Sequence, residues 1–266
     1  MKITLIGSGN VATHLAKAFH GAGHQILQVC SRSFDHAEAL ASEVMAEPVD
    51  RLALLYPTAD CYILAVGDDA LFDLALDLRL RDALVLHTSG SVTLSVLRGV
   101  SRRHGVLYAP QSFVRTRAMD YARLPFCVEG STEETTREIE ALAHSVSPVV
   151  HRLSGEQRQW LHLASVLANN FGNALNALAA SLMEQHAIPF AILQPLMEVT
   201  LQKALAAKEE HPAADLWRLQ TGPAVRRDEK TLDRHRAMLS ANPDLLRLYE
   251  LMTQLIDTNT HPSTHH

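Results

Sequence analysis

Gly7-Ser8-Gly9-Asn10-Val11-Ala12 follows a short apolar run and opens a helical pattern, the strand–turn–helix setting that a dinucleotide-binding turn requires. Gly7 permits the tight turn and Gly9 lets a pyrophosphate approach the backbone. Ala12 takes the third small position, where helix packs closely on strand. Unspent N–H groups and the dipole at the helix start favour a phosphate there. NAD-binding units usually place an acidic residue about 20 residues further on, where it bonds the ribose hydroxyls. This chain reads Cys30-Ser31-Arg32-Ser33 at the end of the second apolar run. A guanidinium flanked by two hydroxyls suits a 2′-phosphate. NADP(H) is therefore expected over NAD, held by residues 7–12, by Ser31, Arg32 and Ser33, and by Val66 at the end of the third strand. The plain alternatives are a ligand-free glycine turn and a solvated Arg32.

Two further groups of polar residues lie where they can act on a ligand. His87-Thr88-Ser89-Gly90-Ser91 ends the fourth strand, and His87 and Ser89 there are candidates to line a nicotinamide or substrate pocket. A simple turn is the competing role. Asp68 and Asp69 follow the third strand beside the same crevice, and N-capping of the next helix is their expected task. From Trp160 to Met183 no residue carries a formal charge. Trp160, Ala164, Leu167, Phe171, Leu175, Leu178 and Leu182 recur at helical spacing, so this helix is expected to be buried in protein. His162, Ser165, Asn169, Asn173 and Asn176 share one face at spacings of three or four. A buried stripe of that kind needs hydrogen-bond partners, from a ligand cleft or from other polar groups.

The elements that position these residues follow from the apolar pattern. Strands are expected over 2–6, 25–30, 61–66, 84–87, 105–109, 126–129 and 149–153, alternating with helices over 11–20, 36–46, 70–78 and 132–146. Apolar strands separated by helices imply an α/β fold, a doubly wound, mainly parallel sheet covered on both faces. Ser131-x-x-Glu134 has the form of a capping box for the last of those helices, and Ser154-Gly-Glu-Gln157 opens an all-α remainder. Helices are expected over 156–186 and 190–208, another from Asp228, and one from Asn242-Pro243 to Asp257. The domains then read as 1–153, an NADP-binding Rossmann domain, and 154–257, a helical substrate and dimerisation domain, with a flexible tail at 258–266. The apolar surface left on the helices exceeds what one small helical domain covers, which points to a homodimer through them.

Composition narrows the function classes. Hydrophobic residues at 47% and charged residues at 20% describe a globular protein. A net charge of -5, without any basic block, gives no footprint for nucleic acid. The polar face of the uncharged helix argues against a membrane span, and the immediate strand after Met1 leaves no signal peptide, so a cytoplasmic protein is expected. Cys30, Cys61 and Cys127 sit in apolar runs and read as buried thiols. The 15 histidines show no metal-ligand spacing, so no metal is expected.

Several motifs together resemble a known family. They are Gly7-Ser-Gly-Asn-Val-Ala12, His87-Thr-Ser-Gly90, Tyr108-Ala-Pro-Gln-Ser-Phe113, His162-Leu-Ala-x-Val166 with Asn169-Asn-Phe171, and Thr221-Gly-Pro-Ala-Val-Arg226 with Asp228 and His235. The chain resembles bacterial Rossmann-like proteins with a C-terminal domain of unknown function, relatives of pyrroline-5-carboxylate reductase, F420-dependent NADP reductase and 3-hydroxyacid dehydrogenases. The resemblance implies a Rossmann domain plus a dimerising helical domain, with the active site between them. It also implies an NADP-dependent oxidoreductase moving a hydride between nicotinamide and a small C=O or C=N substrate. One departure matters: hydroxyacid dehydrogenases carry a lysine shortly before the Asn pair, and Ser165 and Val166 stand there. His162 is the nearest titratable group on the polar face, and imidazole suits acid/base work near neutral pH. On this reading His162 donates the proton, Asn169 and Asn173 orient substrate and Arg226 grips an anionic group, while His235 is structural. The alternative is a sensor or scaffold that holds NADP without turnover.

Overall fold

The computed structural model describes residues 1–208 and 210–261. Its centre is an eight-stranded sheet built from β1 (Lys2–Ile6), β2 (Gln25–Cys30), β3 (Glu47–Val49), β4 (Cys61–Leu64), β5 (Leu84–His87), β6 (His104–Tyr108), β7 (Phe126–Gly130) and β8 (Val150–Arg152), in the order β3-β2-β1-β4-β5-β6-β7-β8. Every neighbouring pair is parallel except β6 and β7. Helices α1 (Asn10–Gly21), α2 (Phe34–Glu43), α3 (Asp68–Asp77) and α4 (Glu133–His144) connect the strands. The expected doubly wound, mainly parallel sheet is thus the observed one.

Strand order reverses at β1, whose neighbours are β2 and β4. In such sheets ligands sit in the crevice at the carboxyl ends of the strands flanking that reversal. Gly7 leaves β1 there and Val66 follows β4. The inner strands are apolar on both faces: Ile3 and Leu5 on one side, and Ile6, Tyr62 and Leu64 on the other, are almost fully buried. All three cysteines are buried and free, and burial pushes the Cys30 and Cys127 thiols up to about 11.

Several details depart from the sequence expectations. β3 was not foreseen, because an edge strand of three residues containing Pro48 carries no readable alternation. The α4 cap is Thr132, whose Oγ1 accepts from Thr135 N at 3.1 Å. Ser131 is not the cap, because its N–H bonds the His104 carbonyl at 2.8 Å and the helix starts one residue later. Asp68 does not cap α3 either: Gly67 is the N-cap, and Asp68 and Asp69 lie in the first turn, where acidic groups complement the helix dipole.

After β8 the chain is helical. Ser154 and Gln157 form the expected capping box at the start of α5 (Gly155–Ser165). A π-helical segment, Val166–Phe171, carries α5 into α6 (Gly172–Gln185) without a break. The chain divides into two compact units, residues 1–177 and those from 178 onward. The second unit holds the end of α6, then α7 (Gln194–Leu205), α8 (Pro212–Arg218), α9 (Glu229–Met238) and α10 (Pro243–Thr260). α8 lies in a stretch where no helix was expected, because the proline that signals a helix end also fits the first turn of the next helix. α10 continues to Thr260, beyond the expected stop at Asp257. The Asn259 and Thr260 side chains bond carbonyls one turn back, at 2.8 and 2.7 Å. The rest of the expected flexible tail, 262–266, lies outside the described residues. Among the described residues no helix is long and apolar enough to cross a membrane.

Candidate functional site

The phosphate-binding turn is shaped by its glycines. Gly7 has φ +121°, and a Cβ there would run into the Ala65 carbonyl, while its N–H bonds Cys30 O at 2.8 Å. Gly9 caps α1 with no side chain, and a Cβ there would meet nothing within 4 Å. The N–H groups of the first α1 turn therefore have no side-chain cap. Ser8 Oγ donates to Ser31 Oγ at 2.8 Å, tying the turn to the end of β2.

A cavity of about 690 Å³ opens against this turn. It brings together Gly7, Ser8, Gly9, Asn10, Val11, Ser31, Arg32, Ser33 and Val66, whereas Ala12 is buried beneath it, against the sheet. Arg32 is exposed and has no ion-pair partner among the described residues. An open glycine cradle, unspent helix-start donors and a free guanidinium at the β2 end all fit a phosphorylated dinucleotide. His36, on the first turn of α2, and Asp50, just past β3, also line this cavity. Sequence reasoning passed over both, and Asp50 was unreadable without knowing that β3 joins the sheet.

The second cluster forms around residues 87–91. His87 is fully buried, and its Nδ1 accepts from Ser89 N at 3.2 Å, so the ring holds the loop from beneath. Ser89 Oγ in turn accepts from Val92 N at 3.0 Å, and Ser91 Oγ donates to the Asp68 carboxylate. Thr88 lines the cavity. Burial, reinforced by the Arg158 cation, pushes the His87 imidazole down to about 4. A histidine depressed in the folded state stabilises above its unfolded value near 6.5, and that contribution is lost as pH falls toward 4. We expect His87→Asn, whose Oδ1 can still accept the Ser89 N–H, to flatten the loss of stability between those two pH values. Urea melts across the range should show up to about 3 kcal/mol of difference in slope-integrated stability. Parallel wild-type and variant curves would exclude His87 as the source.

His162 of α5 stands over this loop. A Cβ on Gly90 would lie 2.7 Å from His162 Nδ1 and 3.0 Å from Tyr108 Cε2, so only glycine lets the imidazole approach. His162 Nδ1 is 3.3 Å from the Tyr108 hydroxyl, with the rings edge-on at 75°. Tyr108 closes β6 and is almost buried. Burial raises its hydroxyl pKa, and a hydrogen bond with Ser165 partly offsets that. Arg158, one turn before His162, is 1% exposed; it pairs with Glu129 of β7 and donates to Val92 O at 2.6 Å. Gln159 Nε2 adds a bond to Ser91 O at 2.9 Å. Tyr108, Arg158 and Glu129 were not candidates from sequence. A strand-end tyrosine looks like core, and Arg158 lies just outside the uncharged stretch, where spacing gives it no role.

The apolar face of the uncharged helix, expected to be buried in protein, is not covered within the single chain. Trp160 is 66% exposed, Leu167 56% and Phe171 55%. Apolar composition says that such a face needs cover, but not which surface supplies it. Asn169 and Asn170 fall in the π-helical segment, a feature often found at functional sites, and Asn169 Nδ2 donates to Asn170 Oδ1 at 3.2 Å. Asn169 and Asn173 are both exposed. In the second unit, Arg226 is exposed and makes no side-chain hydrogen bond or ion pair among the described residues. Asp228 caps α9, accepting from Thr231 N at 3.2 Å, and His235 Nδ1 meets the Tyr249 hydroxyl at 2.8 Å.

Comparison with known proteins places this architecture. Residues 124–256 match the family model described as domain of unknown function DUF2520, and residues 2–89 match that of NADP oxidoreductase, coenzyme F420-dependent. The chain belongs to the DUF2520 family. A structure from Bacteroides fragilis, described provisionally as an NADP oxidoreductase, is 37% identical, with 96% of this chain and 97% of that one covered and a TM-score of 0.87. The fold is shared with an imine reductase from Myxococcus stipitatus in complex with NADP+ (15% identity, 96% and 93% covered, TM-score 0.65). It is also shared with 1-pyrroline-5-carboxylate reductase from Streptococcus pyogenes (13% identity, 97% and 98% covered, TM-score 0.63). No curated protein matches the chain.

Proposed function

We propose that this DUF2520 protein is an NADP-dependent oxidoreductase acting on a small C=O or C=N compound. The observation that carries the reading is the His162–Tyr108 pair over residues 87–91, a loop whose Thr88 lines the cavity formed by the glycine turn. The description of the Bacteroides fragilis relative and the family model over residues 2–89 support the same reading. Bound NADPH would supply the hydride. His162 would supply the proton, its Nδ1 held by Tyr108 and its Nε2 left for substrate. Ser89, Asn169 and Asn173 would offer hydrogen bonds that orient the substrate.

Titration with NADPH and NADH, followed by nicotinamide fluorescence, tests the cofactor. We expect NADPH to bind tighter, and Arg32→Ala to weaken NADPH at least about tenfold while sparing NADH, as loss of a charge-assisted phosphate contact requires. Equal affinities in the wild type would return Arg32 to a solvated role. Depletion of NADPH by a panel of carbonyls and cyclic imines then separates an enzyme from a cofactor-holding sensor. The sensor reading is favoured by the lysine missing before the Asn pair and by the lack of a strong acid/base pair in the sequence, and full binding without depletion across the panel would favour it over the enzyme.

The exposed apolar side chains of residues 160–178, together with Leu196 and Leu205 on α7 and Leu251 and Leu255 on α10, support a homodimer through the helices. Light scattering should give twice the chain mass, and Phe171→Glu should shift it toward monomer. A wild-type monomer at every concentration would end this proposal.

A further inference from the structure

The chain between β6 and β7 crosses to the glycine turn and is fastened to it. His14, buried on α1 one turn beyond Gly9, is the fastener: Nε2 donates to Val114 O at 2.9 Å, and Nδ1 accepts from the Tyr121 hydroxyl at 3.1 Å. Its ring also lies on Phe113, with centroids 5.2 Å apart. This strap delivers Arg115 to the turn. Arg115 N donates to Asn10 Oδ1 at 3.2 Å, and its guanidinium donates to the Ser8 carbonyl. Ser8 and Asn10 flank Gly9 and line the cavity.

A backbone carbonyl needs only a neutral donor, yet the strap brings a full positive charge. No carboxylate pairs with Arg115 among the described residues, its side chain is exposed, and a guanidinium has further N–H groups to give. The first turn of α1 carries no acidic side chain, so an anion seated at Gly9 meets no repulsion there. Backbone N–H groups and the helix dipole alone supply partial charge, against the two formal charges of a pyrophosphate. Arg32 lines the cavity just past the end of β2.

We propose that Arg115 is a cofactor-binding residue that takes the pyrophosphate of the dinucleotide, the strap acting as its clamp. The inference rests on the dinucleotide reading above but assigns a residue which that reading does not use. It divides the electrostatic work: Arg115 serves the diphosphate common to all such dinucleotides, and Arg32 the 2′-phosphate.

The full-length protein is titrated with NADPH, NADH, ADP-ribose and 2′-AMP. Arg115→Ala should weaken NADPH, NADH and ADP-ribose alike, by about tenfold or more, and leave 2′-AMP unchanged. Arg32→Ala should show the complementary pattern, weakening NADPH and 2′-AMP only. Arg115→Lys should recover part of the lost affinity, with a melting midpoint close to wild type. If the wild type binds the dinucleotides and Arg115→Ala binds them equally well, Arg115 is no pyrophosphate ligand. Loss of 2′-AMP in Arg115→Ala along with the others would mean the turn had collapsed, which also overturns the proposal. A wild type that binds none of the four removes the dinucleotide reading itself.

Discussion

Replacing His162 by alanine is expected to lower turnover by about 10²- to 10⁴-fold, the usual contribution of a positioned acid or base, and to leave NADPH affinity unchanged. The two effects separate because the imidazole stands on Gly90, outside the side chains that line the dinucleotide cavity. Tyr108 makes the result more informative. Its hydroxyl lies 3.3 Å from His162 Nδ1, and burial holds it in the protonated form. Tyr108→Phe should then cost less than His162→Ala, since it removes the group that orients the ring but not the ring. A double variant no worse than His162→Ala alone would show the two acting as one unit. Unchanged turnover in His162→Ala would remove it as proton donor, and a larger loss in Tyr108→Phe would transfer the role to the phenol. The measurement is steady-state NADPH depletion on any substrate the panel identifies, beside a fluorescence titration of each variant.

The glycine turn was legible because its chemistry is contiguous. Gly7, Gly9 and Ala12 are recognised by spacing alone, and β1 and α1 around them carry strong apolar patterns. The parallel sheet was legible for a similar reason, as β4, β5 and β6 are buried throughout and apolar but for His87, His104 and Gly105. What the sequence hid is what only tertiary contact creates. Tyr108 and His162 are 54 residues apart. His162 could be found from the polar face of its own helix, whereas Tyr108 stood out only as the first residue of a family motif, with no sign of a role for its hydroxyl. Arg115 was hidden in the same way, since its meaning depends on His14 pulling the strap onto α1, 100 residues earlier in the chain. The exposure of Trp160 and Phe171 marks the converse limit. Periodicity identified the apolar face correctly, but burial is a property of whatever covers that face.

Arg158→Ala is expected to destabilise the fold by about 3–5 kcal/mol, because it breaks a buried ion pair from one side. Arg158 is 1% exposed and Glu129 19%, so the abandoned carboxylate has little access to water. Glu129 would keep only the Gly155 N–H, at 2.9 Å, and the Val92 carbonyl would lose its donor. Urea denaturation should show the midpoint falling with the slope unchanged. A loss below about 1 kcal/mol would place this pair with solvated bridges. Replacing both partners by apolar residues, Arg158→Met with Glu129→Leu, should cost much less, since no charge is then left unpaired. The comparison carries through to the site. Arg158 and Gln159 pin the first turns of α5 to Val92 O and Ser91 O, and His162 follows one turn later over Gly90. The apolar double variant should therefore recover stability without recovering the loop contact, and so turn over more slowly than wild type at equal NADPH affinity. Full recovery of both would confine the pair to holding the helix on the sheet, with His162 placed by Gly90 and Tyr108 alone.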